Sequence, residues 1–338
     1  MKQGDSADAM SVELEVPPGL HGQRVDRALS LLTGASRRVA AQAVEAGTVT
    51  LDGYPVRARS TLLRTGQRLQ AVVQGTPRDL PVADSSVAFE VVYKDDDIVV
   101  VDKPAGLVVH HGAGQRAGTL VDGLLARFPD IGDLGDPSGV GDSSGVGEPG
   151  AGKDDAGRPG IVHRLDKGTS GLLVVARSRR ARASLAEQFR VHSAERRYLA
   201  LVAGTVESDR GQVDAPIGRS ARRPDRMAVT PSGRPARTSY TVRQRYDSPL
   251  AATMVEATLD TGRTHQVRVH LAAVGHPVIG DDRYGGTRAR PAVLLASLGR
   301  DRLFLHAWKL SFEHPDGRRV SYESALPPEL EETLKLLS

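Results

Sequence analysis

The chain of 338 residues contains no cysteine, which excludes disulfide staples, thiolate metal sites and a cysteine nucleophile. It has no apolar run of the roughly 18 residues that a membrane-spanning helix requires, so no membrane partner is expected. Its first segment, MKQGDSADAMSVELEV, lacks the apolar stretch of a secretory signal, and the cytoplasm is the expected compartment. A P-loop and an H-E-x-x-H pair are also missing, leaving no signature of phosphate activation or zinc-protease chemistry. What remains is ordinary for a globular protein. Hydrophobic residues make up 39% and charged residues 25%, which supports a real core.

Net charge is only +4, but the positive charge is concentrated. Between Val16 and Gly75, Arg24, Arg27, Arg37, Arg38, Arg57, Arg59, Arg64 and Arg68 face only Asp26, Glu45 and Asp52. Between Ile217 and Arg245 a second arginine block is opposed by Asp225 alone. Basic blocks on folded segments suit a phosphate backbone; a solvated charged face is the plainer alternative.

Residues 1–15 show no clear period and are expected to be a disordered tail. Residues 16–75 form a small unit. Val25, Ala28, Leu29 and Leu32 mark one helical face. Ser36 can cap a second helix carrying Val39, Ala43 and Val44, which Gly47 ends. Val49 and Leu51 then run into the hairpin signal Asp52-Gly53. Residues 76–86 read as a linker, and 87–338 as the main domain. There, strands are expected at Phe89–Tyr93, Ile98–Val101, Tyr198–Val202, Met254–Leu259 and Phe304–Phe312. Helices are expected at Thr119–Phe128, Arg179–His192, Gln266–Val274 and Pro328–Leu337. Many strands with few βαβ repeats suggest an α+β domain. Within it, residues 129–160 carry seven acids against two bases and repeat Gly-Val-Gly; such a segment cannot offset its ordering entropy and is expected to be a disordered insertion.

The most informative stretch is His163-Arg164-Leu165-Asp166-Lys167-Gly168-Thr169-Ser170-Gly171, set before the apolar run Leu172–Ala176. Arg164 and Lys167 should keep Asp166 ionised, and an anionic Asp in a cationic loop can serve as nucleophile or base. For an isolated R-x-D-K, a surface Asp balancing its neighbours would be the default reading. His110, His111, His163, His265 and His270 invite a metal reading, but His265 and His270 fall on poorly matched faces of a helix and no metal site is expected.

The run Ile161 to Ala176, IVHRLDKGTSGLLVVA, resembles the signature of RluA/RluD-type pseudouridine synthases. Tyr93 to Gly114, Arg196 to Gly204 (RRYLALVAG), Thr261 to Gly280 (TGRTHQVRVHLAAVGHPVIG) and Phe304 to Phe312 resemble further motifs of that family, in the same order. The resemblance spans about Pro17 to Leu330 apart from the insertion. It implies a mixed, mostly antiparallel central sheet, preceded by a small α/β S4-like RNA-binding domain. It implies uridine isomerisation in structured RNA, without cofactor, by a protein expected to be monomeric. Asp166 would be the catalytic aspartate, Arg268 its pairing arginine through two parallel bonds, and Tyr198 the tyrosine that stacks on the target base. Arg164 would fill the gap left by the flipped nucleotide. Arg263, Arg24, Arg27, Arg37 and Arg38 would contact RNA. Lys103-Pro104 would be structural support. Gly168 stands where many members have Asp, and His111 where Pro is common; neither is a catalytic position.

The aspartate could attack covalently or abstract a ribose proton to give a glycal, and the sequence leaves both routes open. Ribosomal RNA of the large subunit is the expected substrate, with transfer RNA the alternative. A non-catalytic S4-type assembly factor would have no reason to keep Asp166, Tyr198 and Arg268 together. A metal-dependent hydrolase built on the histidines is a third reading.

Overall fold

The structure, a computed structural model, describes residues 9–33, 35, 37–74, 81–112, 115, 117–134, 158–285, 292–299 and 302–337. The chain divides into two compact units that meet in sequence between Leu80 and Pro81.

The first unit pairs β1 (Ala9–Glu15), β4 (Arg68–Gln74), β2 (Val49–Leu51) and β3 (Tyr54–Pro55) in the order β1-β4-β2-β3, with α1 (Val25–Thr33) and α2 (Arg37–Glu45). Val25, Ala28 and Leu29 of α1 join Ala40, Ala43 and Val44 of α2 and Leu69, Ala71 and Val73 of β4 in one core; Leu32, expected on the same face, is exposed. Gly47 ends α2 at φ 74°, and Asp52-Gly53 turn the hairpin with φ 52° and 83°, the conformation that favours Asn, Asp and Gly. Ser36 lies outside the described residues.

The tail expected over residues 1–15 is corrected here, because Ala9–Glu15 is a strand paired along its whole length with β4. Val12 is buried while Ser11, Glu13 and Glu15 are exposed, the alternation of a half-buried strand. A partner distant in the chain supplies the hydrogen bonds that the local sequence does not advertise.

In the second unit the main sheet runs β5 (Glu90–Lys94), β6 (Ile98–Lys103), β7 (Ser170–Ala176), β14 (Leu305–Glu313), β8 (Glu195–Ala203), β13 (Ala252–Leu259), β12 (Arg237–Tyr246) and β9 (Arg210–Asp214), with β15 (Arg319–Glu323) beside β14. Only the β7–β14 pair is parallel; the other named pairs are antiparallel. A separate hairpin joins β10 (Ile217–Arg219) to β11 (Met227–Val229). This is the mixed, mostly antiparallel α+β sheet that the sequence implied. β6 and β7 read as unbroken apolar runs because both faces are covered. Val99, Val101, Leu173 and Val175 enter one core with α3 (Leu120–Arg127) and α5 (Gln266–Ala273), while Ile98, Val100, Leu172 and Val174 enter another with α4 (Arg179–Arg190). α6 (Ala292–Leu298) and α7 (Pro328–Lys335) pack Leu294, Leu298 and Leu330 into a further cluster.

Two more boundaries change. Of the expected linker 76–86, residues 76–80 lie outside the described residues, whereas Val82 N and Asp84 N donate to Asp122 Oδ1 and O at the start of α3. The insertion expected over 129–160 is ordered at both ends. Pro129–Leu134 forms a 3-10 turn that buries Ile131 and Leu134, and Gly160 O accepts from Ala176 N at 2.9 Å. Apolar side chains hold those ends; residues 135–157 lie outside the described residues.

Candidate active site

The loop from His163 to Thr169 reaches β7 under several constraints that the chain itself supplies. Val174 N donates to His163 Nε2 at 3.0 Å, and the imidazole stacks on Phe189 with 4.4 Å between ring centroids. Burial first, then the charge of Arg196, pushes His163 down to about 3, so it is a neutral structural group. Leu165 is buried in the core. Lys103, also buried, donates its ammonium to Pro104 O, Leu107 O and, at 3.4 Å, Lys167 O. Arg302 Nη1 donates to Gly168 O at 3.0 Å and Nη2 to Ser170 Oγ at 2.7 Å. Gly171 follows at φ 115°, where a Cβ would lie 2.6 Å from Ala307 N; the parallel pairing of β7 with β14 needs the missing side chain.

Asp166 emerges from this loop with 17% of its side chain exposed. Arg268 Nη1 donates to its Oδ2 at 2.9 Å. The sequence reading expected both arms of Arg268 on Asp166, and the structure corrects this. Nε and Nη2 donate to Asp281 Oδ2 and Oδ1 at 2.6 and 3.0 Å. Asp281 is fully buried and also accepts from Arg283 N and Tyr284 N. The fork therefore anchors the arginine, and one arm is left for the aspartate.

Burial pushes the Asp166 carboxyl up, but His265, Arg268 and Arg164 together bring it below its ordinary value. Burial disfavours the charged form of His265, and Arg268 is the cation hydrogen-bonded to the carboxylate, at 2.9 Å. The Lys167 carbonyl accepts from Lys103 Nζ and from Gly106 N.

Asp166, Tyr198, Arg268, Arg164 and Arg263 line one cleft of about 530 Å³. Tyr198 is buried on β8, opposite Ala257, and burial pushes its phenol up to about 12; it stays protonated. Arg164 is exposed at the mouth, with Nη1 3.5 Å from His110 Nε2. Arg263 Nε donates to Pro235 O. Arg24 and Arg27 belong to the other unit, where Arg24 Nε and Nη2 bond Asp26 at 3.0 and 2.8 Å. The side chains of Arg37 and Arg38 lie outside the described residues.

The second arginine block is divided by the fold. Arg237, Arg243 and Arg245 pair with Asp214, Glu256 and Asp209 from neighbouring strands or loops, whereas Arg219 and Arg234 line the cleft. The histidines are accounted for individually. His270 bonds Thr238 Oγ1 and Ala215 O, and His111 Nε2 bonds Asp122. Among the described residues no group of three His, Asp or Glu could hold a metal ion, and no helix is long and apolar enough to cross a membrane. Sequence reasoning missed Asp281, Arg302 and Tyr284. The only signal was Gly280-Asp281-Asp282-Arg283-Tyr284, directly after the arginine motif.

A buried arginine anchored on one carboxylate and presenting its last arm to a second, ionised carboxylate is an arrangement that can support acid–base or nucleophilic chemistry. A sequence profile of the RNA pseudouridylate synthase family matches residues 97–273. The chain is 37% identical over 336 residues to ribosomal large subunit pseudouridine synthase D of Nitrosomonas europaea, covering 99% of this chain and 90% of that protein. It is 41% identical over 328 residues to an RNA pseudouridine synthase of Mycobacterium bovis, covering 96% and 97% of the two chains. Human RNA pseudouridylate synthase domain containing 1 has a similar structure, with TM-score 0.54 and 27% identity over 74% of this chain and 89% of that one. The chain belongs to the RNA pseudouridylate synthase family and is an isomerase.

Proposed function

We propose that the chain isomerises uridines of large-subunit ribosomal RNA to pseudouridine in the cytoplasm, as a monomer and without a cofactor. The observation that carries this reading is the ionised Asp166 at an arginine-lined cleft, held by one arm of Arg268. Asp166 acts on the ribose or the base. Covalent attack and proton abstraction both begin from the carboxylate, and both need one oxygen turned to the substrate. Arg268 orients it and keeps it charged. Tyr198 lies against the target base, and Arg164 enters the stack that the base leaves. Arg263 contacts phosphate at the rim. The unit of residues 16–75 is read as an S4-type RNA-binding domain, in which Arg27, Arg37 and Arg38 meet the backbone and Arg24 shares its charge with Asp26.

The test is tritium release from 5-tritiated uridine in transcripts of large-subunit ribosomal RNA and of transfer RNA. Release from the ribosomal transcript alone is expected. Release from transfer RNA alone overturns the substrate assignment, and release from neither overturns the activity.

A further inference from the structure

His265 stands beside Asp166 in a conformation that its backbone does not favour. Its φ of 57° is left-handed, a conformation that few residues other than glycine adopt and that persists where the surroundings enforce it. It is the N-cap of α5, yet its side chain makes no capping hydrogen bond. Helix initiation therefore does not explain the imidazole, since Asn, Asp or Ser would cap better.

The ring lines the cleft, with Nε2 3.8 Å from Asp166 Oδ1 and Nδ1 2.6 Å from Tyr284 Oη. Tyr284 Oη accepts from Met227 N at 3.2 Å. An amide donor already sits on that oxygen, and its single proton is available for donation to Nδ1. Neutral His265 then carries its own proton on Nε2, the nitrogen that faces the aspartate. Tyr284 is itself fixed, because Arg268 lies 5.0 Å from its ring centroid and its backbone N donates to Asp281. Burial outweighs the attraction of Asp166 and, with Arg268 and Arg283 nearby, disfavours the imidazolium.

We propose that His265, held by Tyr284 with its proton on Nε2, is a further catalytic residue: a neutral hydrogen-bond donor to the uracil as it leaves the ribose. This rests on the reading of the cleft as the place where uridine reacts. When the C1′–N1 bond breaks, its electron pair moves onto the uracil and spreads over N1 and the carbonyl oxygens. Nε2–H bonds one of those oxygens and keeps its proton. The C1′–C5 bond then forms from a ring electron pair, C5 loses its hydrogen as a proton, and N1 takes one up, so the product is an isomer and no co-reactant enters. A neutral imidazole can stabilise an oxyanion in this way without adding a cation that would compete for Asp166.

Three variants separate this role from a structural one: His265→Asn, His265→Gln and Tyr284→Phe. Each is measured by single-turnover tritium release from the ribosomal transcript and by filter retention of the same RNA. Asn tolerates the left-handed backbone but is too short to replace Nε2–H, so its rate falls about 100-fold while RNA binding changes less than about threefold. Gln, whose terminal amide reaches closer to the Nε2 position, recovers about tenfold of that loss. Tyr284→Phe frees the tautomer and falls between wild type and His265→Asn. A rate for Asn equal to wild type, a rate for Asn above that of Gln, or a loss confined to RNA binding overturns the proposal for His265 alone. A wild-type chain that binds the transcript and releases no tritium overturns it together with the proposed activity.

Discussion

Asp166 and Asp281 share the guanidinium of Arg268, and the structure treats them differently. Asp281 is fully buried, takes the two-armed fork and accepts two backbone amides besides. Asp166 has one arginine bond, on Oδ2, while Oδ1 faces His265 at 3.8 Å. A carboxylate gripped on both oxygens makes a good anchor and a poor reagent. The strong bidentate interaction immobilises the arginine, and the weaker single arm orients the aspartate without occupying it.

The largest expected effect follows from the exposed partner. Asp166→Asn should lower turnover on the order of 10⁴-fold, as loss of a central catalytic group does, while RNA binding survives in filter retention. Substantial tritium release by that variant would remove Asp166 from the chemistry. Arg268→Lys comes next. An ammonium cannot hold Asp281 in a fork and reach Asp166 as well, and misplacement on the order of 1 Å costs about 10²-fold. Near-wild-type kcat would show that charge alone suffices.

Asp281→Asn reverses the balance between rate and stability. It leaves a buried guanidinium short of its counter-charge, which costs about 3 kcal/mol and is read in urea melts. Turnover should fall only about tenfold, since the arm to Asp166 can persist. Equal damage from Asp281→Asn and Asp166→Asn, in both turnover and stability, would erase the distinction between anchor and reagent.

The smallest effect is in acid. Against burial, His265, Arg268 and Arg164 hold Asp166 below its ordinary 3.8. Its contribution to stability is therefore complete above about pH 4 and is lost as pH falls through the lower, folded value. The stability gap between wild type and Asp166→Asn should narrow in melts taken from pH 5 down to pH 3. A gap that widens in acid would mean that the folded carboxyl is raised instead.

The loop that carries Asp166 was legible as a unit because its parts are neighbours in the chain: His163, Asp166 and the apolar strand behind them lie within one short stretch. Asp281 was not legible as a partner, because nothing in its surroundings distinguishes it from Asp282 until α5 brings Arg268 against it. β1 escaped for the same reason, since an edge strand is defined by its pairing with β4. The arginines between Ile217 and Arg245 gave a charge density but not its use; strand register paired Arg237 with Asp214 and left Arg234 at the cleft.

By itself the sequence determined the residue chemistry, the periodicities of the helices and strands, and the order of the family motifs, and it offered Asp166, Tyr198 and Arg268 as candidates that the fold brings to one cleft. Tertiary structure alone decided which carboxylate receives the fork, which arginines face the cleft and which are neutralised, and that His265 Nε2 faces Asp166. Those decisions depend on distances between groups far apart in the chain, such as the 2.9 Å from Arg268 Nη1 to Asp166 Oδ2. Local preference fixes backbone segments, whereas electrostatic and hydrogen-bond energies fall off within a few ångströms and take effect only once the sheet has brought the loops together.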